Sequence, residues 1–239
     1  MTRASSTIRD PRSTRHDGRR TSRLHVVVTA GPTWEPLDPV RYVTNRSTGA
    51  MGYAVAAAAQ RRRHRVTLIS GPSGLTAPRG VRLVRVTTAC EMRDATLRAL
   101  ARADALVMTA AVADYRPATF HRTKLKRAGQ RRTVQLIENP DILAEAGRRF
   151  GDQKLLVGFA LESRQVVAHA REKFAAKRLD LIIGNTVRGT EVSFGRQPLT
   201  DVQLLTRRGV IAHRRRASKP WVAQQILDFL ERCTCCCIL

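Results

Sequence analysis

Acidic residues are scarce in this chain of 239 residues: 19 Asp and Glu stand against 43 Lys and Arg, a formal net charge of +24. Such an excess points to polyanionic partners, either nucleic acid or a phosphorylated small molecule. Aromatic residues make up only 5%, and the arginine runs at 61–63, 131–132 and 214–216 have none interleaved, so a surface that stacks bases is not indicated. Cysteine is nearly absent until Cys233, Cys235, Cys236 and Cys237 crowd the end, with Cys90 alone before them. This is no disulfide framework, and without a second paired cluster or a histidine partner it is no zinc site. No apolar run is long enough to cross a membrane, and the N-terminus lacks the apolar core of a secretion signal. The last four residues match a prenylation box only formally.

Apolar runs of strand length do recur, at 24–30, 66–70, 83–86, 105–111, 155–161 and 179–185. Between them lie stretches of three-to-four periodicity at 49–63, 89–102, 140–149 and 163–177, with another at 219–232. This alternation predicts an α/β fold, a Rossmann-like and mostly parallel sheet with helices on both faces. Around Arg207-Arg208-Gly209, two short apolar runs spanning 201–213 predict a C-terminal β-hairpin at the sheet edge. Residues 1–23, rich in Arg, Ser and Thr, predict a disordered basic arm. One domain over 24–232 and a cysteine-rich tail over 233–239 complete the expected organisation.

Ligands of open parallel sheets bind beyond the carboxyl ends of the strands, and polar residues gather at four such places. Ser47-Thr48-Gly49-Ala50-Met51-Gly52 reads as a helix start with a hydroxyl cap, where free N–H groups favour a phosphate, and Arg41, Asn45 and Arg46 add donors just upstream. Ala110-Ala111 after the fourth strand leaves room for a ring or acyl chain, and Asp114 follows as an acceptor. Lys124 and Lys126, in a polar interruption over 114–135, would share one face if extended. Asn139-Pro140-Asp141 opens a helix with proline in its first turn; Phe159 sits near a strand end, and Lys173 and Lys177 are four apart on one helix. A nicotinamide-dependent oxidoreductase would share the sheet, but it calls for G-x-G-x-x-G after the first strand and an acid ending the second, where this chain has "TAGPTWEP" and "TLISGP". A basic nucleic-acid-binding protein would account for the charge alone.

Taken in order, "VVVTAGPTWEPLDPVRYVTNRSTGAMGYAVA", "TLISGP", "AAVADYRP", "KLKR", "NPDIL", "VGFALE" and "LDLIIGN" resemble the phosphopantothenate–cysteine ligase family across most of the chain. The resemblance implies a ligase of coenzyme A synthesis that joins 4′-phosphopantothenate to L-cysteine through an acyl-nucleotide. It further implies Mg²⁺, CTP in preference to ATP, no flavin, and a cytoplasmic homodimer completed by a strap from the neighbour. Only a short basic arm precedes the domain, so a stand-alone synthetase is expected, its product passing to a separate phosphopantothenoylcysteine decarboxylase. Neither membrane nor nucleic acid is an expected partner. By the same resemblance Asn45 and Lys124 are the catalytic residues. Asn45 holds the intermediate, Arg41 the substrate phosphate, Ala110 and Ala111 line the intermediate, and Asp114 accepts from the nucleotide. Lys124 meets the triphosphate, and Asn139, Pro140, Asp141, Ile142, Phe159, Lys173 and Lys177 complete the nucleotide pocket beside Ser47, Gly49 and Gly52. The metal ligands are not specified. Where the family usually reads Ser-Ser-Gly-Lys-Met-Gly and Thr-Ala-Gly-Gly-Thr, this chain carries Ala50 and Pro32.

Overall fold

In the computed structural model, His25–Ala30 (β1) forms the centre of the fold. Val26, Val28 and Ala30 point into one apolar cluster and Val27 into another, so the strand is buried on both faces. The structure describes residues 23–127, 129, 131–162, 172–174, 176–186 and 199–236. The expected arm, apart from Arg23, the end of the cysteine-rich tail and most of the 163–177 helix lie outside these residues.

After β1 come two short strands, Trp34–Pro36 (β2) and Tyr42–Thr44 (β3), then helix Ala50–Arg61 (α1) and strands Arg65–Ser70 (β4) and Arg82–Arg85 (β5). Helix Ala89–Leu100 (α2) leads to Ala105–Met108 (β6), followed by Tyr115–Pro117 (β7), Leu136–Glu138 (β8) and helix Ile142–Phe150 (α3). Leu155–Glu162 (β9), Leu181–Thr186 (β10), Leu199–Thr206 (β11), Gly209–Ala217 (β12) and helix Lys219–Cys236 (α4) complete the chain. The main sheet has the order β12-β11-β10-β9-β6-β1-β4-β5. Its six strands from β5 to β10 are parallel, and β11 and β12 add antiparallel at one edge. The chain winds outward from β1 to β5 and then resumes at β6 on the other side of β1, so the topological switch falls between β1 and β6, where ligand crevices form.

Small side chains set the spacing of the layers. The buried face of α1 is largely alanine, with Val55, Ala56, Ala58 and Ala59 fully covered, so the helix lies close to the sheet. On the same side α4 buries Val222, Ala223, Ile226, Leu227 and Leu230, each large aliphatic stabilising by about 1.5–3 kcal/mol. At its outer edge Arg62 pairs with Asp228 and Glu231, and the His64 ring meets the other oxygen of Glu231 at 2.9 Å. Helices α2 and α3 cover the opposite face. A capping box between Thr88 and Glu91 starts α2, and buried Glu35 of β2 accepts from Ala89 N at 2.9 Å.

Several expectations are corrected. The cap of α1 is Gly49 in the left-handed region (φ 81) with no side-chain cap bond, in place of a hydroxyl. The chain there crosses β1 so closely that a Cβ on Gly49 would lie 3.0 Å from Gly31 N. Pro140 precedes the cap of α3 and is not in its first turn, because Asp141 takes the cap and accepts from Ala144 N at 2.9 Å. The fourth strand stops at Met108, since Ala110 N bonds the Thr29 side chain in place of a backbone carbonyl and Ala111 meets Pro32 only in an isolated parallel bridge. The final helix runs through Cys236 and packs Cys233 against the core, so the tail begins inside a helix. The hairpin spans β11 and β12, longer than expected, with Thr206 opposite Gly209.

Candidate active site

Three threonines shape the crevice at the switch. Thr109 Oγ1 donates to Thr29 O at 2.7 Å, Ala110 N donates to Thr29 Oγ1 at 3.2 Å, and Ala113 N donates to buried Thr33 Oγ1 at 3.0 Å. Ala111 N completes the ladder onto Gly31 O at 2.9 Å. Residues 109–113 are thereby laid across the end of β1 with only small side chains exposed to the crevice.

Two ribbons close the flanks. β2 and β3 pair antiparallel, with Trp34 stacked on Tyr42 at 4.3 Å; β7 and β8 form the other pair. The second is tied to the site by Asn139, whose Nδ2 donates to Ala113 O at 2.8 Å and whose Oδ1 accepts from Arg116 at 3.0 Å. From the end of β3, Asn45 Nδ2 donates to Val112 O at 2.9 Å. This bond fixes the carboxamide at the rim of the crevice that Ala110 and Ala111 also line, and its Oδ1 makes none of the side-chain bonds found among the described residues.

The result is a cleft of about 860 Å³. Of the expected site residues, the structure brings Asn45, Ala110, Ala111, Asp114, Asn139, Pro140, Asp141, Ile142, Phe159 and Lys177 into its lining. Lys177 Nζ meets Asp141 Oδ2 at 2.8 Å, bridging the start of α3 to the helical residues that carry Lys177. Burial opposes ionisation of Asp141, but the Lys177 ammonium and the Ala144 N–H outweigh it and hold the carboxyl below its usual range.

Other expected residues lie elsewhere. Gly52 is packed under the site: a Cβ there would meet Ala30 Cβ at 2.5 Å and Thr109 Oγ1 at 2.7 Å. Ser47 accepts from Gly49 N in the approach to α1, and neither Ser47 nor Gly49 lines the cleft. Lys173 is half-buried outside the lining. Arg41 borders a second, smaller groove with Lys126, Arg127, Arg131 and Arg132, and Lys124 lines neither cavity. The segment around Lys124 forms no regular strand, and of the two lysines only Lys126 lines the groove.

Sequence reasoning missed the threonines at 29, 33 and 109, which read as ordinary strand residues. It also missed Asn185, which is buried near the carboxyl end of β10 with its Oδ1 unpaired. Ile183 pairs with Phe159 in register, so alternation puts Asn185 on the face that Phe159 occupies. The signal available was a polar residue closing the apolar run "LIIGN". Among the described residues no group of three or more His, Cys, Asp or Glu side chains could cage a cation, and no helix is long and apolar enough to cross a membrane.

Comparison with known proteins places this geometry. Residues 21–233 match the family model of the DNA/pantothenate metabolism flavoprotein C-terminal domain. The chain is 46% identical over 172 residues to the coenzyme A biosynthesis bifunctional protein CoaBC of Bacillus subtilis (strain 168), covering 72% of this chain and 42% of that protein. To the protein of the same name from Escherichia coli (strain K12) it is 46% identical over 167 residues, covering 69% and 41%. The chain thus spans about two fifths of the length of the curated relatives it matches. The crystal structure of the C-terminal domain of a CoaBC protein superposes with a TM-score of 0.74 at 33% identity, covering 88% of this chain and 95% of that one.

Proposed function

The chain belongs to the family of DNA/pantothenate metabolism flavoprotein C-terminal domains, and from that premise we propose that it is a ligase joining 4′-phosphopantothenate to L-cysteine. The observation that carries the reading is the convergence of Asn45, Ala110-Ala111, Asn139–Ile142 and Phe159, from four separate parts of the chain, on one cleft at the switch of the sheet. A carboxylate is a poor acyl donor because its oxygen leaves badly. In the proposed reaction a carboxylate oxygen of the substrate attacks the α-phosphorus of a nucleoside triphosphate, and the bond to pyrophosphate breaks. The cysteine amine then attacks the acyl carbon, loses its proton, and displaces the nucleoside monophosphate, which keeps the carboxylate oxygen.

The protein's part is to position the reactants and to stabilise charge as it develops. Asn45 is oriented by Val112 O to donate to the acyl oxygen. The small side chains of Ala110 and Ala111 let the acyl group approach the backbone. Phe159 offers a flat face to the base, with the Asn185 carbonyl as an unpaired acceptor on the same face of the sheet. Asp114 accepts from the nucleotide, and the Asp141–Lys177 pair closes the end of the cleft. Lys124 lies on the chain segment that leads to the basic groove, and we assign it to the triphosphate on family grounds. The lack of a carboxylate cage among the described residues fits Mg²⁺ arriving on the triphosphate; of the three carboxylates that line the cleft, Asp141 is paired with Lys177, and Asp114 and Glu138 would be the ones to meet the ion. When bound, the ion neutralises phosphate charge.

Similarity to bacterial proteins supports CTP over ATP, and a cytoplasmic enzyme whose product passes to a phosphopantothenoylcysteine decarboxylase. A homodimer is supported by the two ribbons, where Tyr42, Val43, Tyr115, Leu136 and Ile137 are exposed; apolar patches of this kind mark contact surfaces. The strap that completes the neighbour's site is assigned to the 114–135 segment or to the 201–213 hairpin, where Val210 and Ile211 are exposed as well. Pyrophosphate release tests the function: it should require 4′-phosphopantothenate, run faster with CTP than with ATP, and collapse in Asn45→Asp. Release that is indifferent to 4′-phosphopantothenate would refute it.

A further inference from the structure

Asp38, in the loop between β2 and β3, has a side chain with no exposed surface, yet it is tied to a segment far along the chain. Its Oδ1 accepts from Val40 N at 2.9 Å and Arg41 N at 2.8 Å. Its Oδ2 accepts from Arg41 Nε at 3.0 Å, from Arg41 Nη2, and from Leu125 N at 3.1 Å. Arg41 Nη2 in turn donates to Leu125 O at 2.7 Å. Leu125 is therefore gripped at both its N–H and its C=O by one ion pair.

The residues that follow Leu125 surround a groove of about 390 Å³, walled by Arg41, Lys126, Arg127, Gly129, Arg131 and Arg132. Among the described residues no carboxylate lines it. Arg41 is already paired with Asp38, which leaves the other four cations to repel one another around a space of that size. A compact polyanion relieves that repulsion, and a chain of condensed phosphates has the required charge density. Arg41 and Asn45 flank the three-residue β3, so the groove and the cleft lie about 13 Å apart along an extended chain.

We propose that Asp38 is a positioning residue for condensed phosphate: through Arg41 and Leu125 it sets the cations of the groove, and Arg131 and Arg132 hold the phosphate chain there. The inference rests on the nucleotide-dependent reaction proposed above. The Arg41 guanidinium beside Asp38 holds its carboxyl well below the usual carboxylate range, against the effect of burial, so the pair stays charged at any working pH.

The test is calorimetric binding of sodium tripolyphosphate to the full chain at two salt concentrations, with cytidine monophosphate as the comparison ligand. Arg131→Ala/Arg132→Ala should weaken tripolyphosphate at least tenfold and flatten its salt dependence, with monophosphate affinity unchanged within twofold. The same variant should raise the KM for the nucleoside triphosphate with kcat preserved. Asp38→Asn, shown folded by circular dichroism, should lose tripolyphosphate affinity to a similar extent. Should it not fold, Leu125→Pro, which removes the N–H that reaches Asp38, takes its place with the same expectation. Tripolyphosphate binding at wild-type strength in either folded variant overturns the inference. Binding by the wild type without any ligase turnover would refute the ligase and leave the groove standing; turnover without tripolyphosphate binding would do the reverse.

Discussion

Replacing Gly52 by alanine sets helix propensity against packing. In an exposed helix interior the change would stabilise by about 1 kcal/mol. Here the new Cβ would lie 2.5 Å from Ala30 Cβ, 2.7 Å from Thr109 Oγ1 and 2.8 Å from Thr29 O. Ala30 is fixed by the pairing of β1 with β4, Thr109 Oγ1 is bonded to Thr29 O, and Thr29 O is itself backbone. None can give way alone, so the penalty belongs at the upper end of the overpacking range, about 3 kcal/mol. The net loss is about 2 kcal/mol, or a fall in Tm of about 4–8 °C for a domain of this size. Gly74→Ala is the matched control: nothing lies within 4 Å of its Cβ position, so lowered unfolded-state entropy should leave Tm unchanged or raise it slightly. Scanning calorimetry on the two variants reads both effects. Because Thr29 and Thr109 also place Ala110, kcat/KM should fall in Gly52→Ala and not in Gly74→Ala. A Gly52→Ala protein as stable as wild type would refute the packing argument.

Other perturbations have equally definite outcomes. Asp141 has a lowered folded-state pKa, so its contribution is present above the ordinary carboxylate value and lost as pH falls through the folded one. Being half exposed, it is worth less than about 1 kcal/mol; urea melts should show that Asp141→Asn removes part of the stability decline below about pH 4. Glu231→Ala removes the carboxylate that meets His64 Nε2 and one of the two that hold Arg62, which keeps Asp228, and should cost about 1–3 kcal/mol by chemical denaturation, with kcat untouched because the cluster lies away from the cleft. Asn185→Leu removes a buried unpaired carbonyl, so Tm should hold or rise while nucleotide affinity falls at least tenfold; a variant with lower Tm and unchanged affinity would assign Asn185 to structure alone.

Much of the fold was legible because of how parallel sheets are buried. β1, β4, β6, β9 and β10 are covered on both faces and read as continuous apolar runs, while α2 and α4 show the periodicity of one-sided burial. Site positions just beyond the strand ends followed from the same geometry. The two ribbons were invisible because three-residue strands are too short to show a period. The cap of α1 was misread because hydroxyls stood next to a glycine whose reason, the crossing over Gly31, is tertiary. Asp38 was not singled out in the sequence: its distant partner is the N–H of a residue 87 positions away, and nothing in a local pattern reports a backbone donor at that separation. Lys124 and Lys126 were paired on the assumption of an extended chain; no strand forms there, and only Lys126 lines the groove.

The most direct test of the ligase is the fate of one oxygen atom. 4′-Phosphopantothenate labelled with oxygen-18 in its carboxylate would be turned over with CTP, Mg²⁺ and L-cysteine, and the products read by mass spectrometry. An acyl-nucleotide route predicts one labelled oxygen in the cytidine monophosphate, none in the pyrophosphate, and an amide product that keeps the other labelled oxygen and the 4′-phosphate and carries the cysteine residue. Label in inorganic phosphate, or an amide formed with an unlabelled monophosphate, would contradict it.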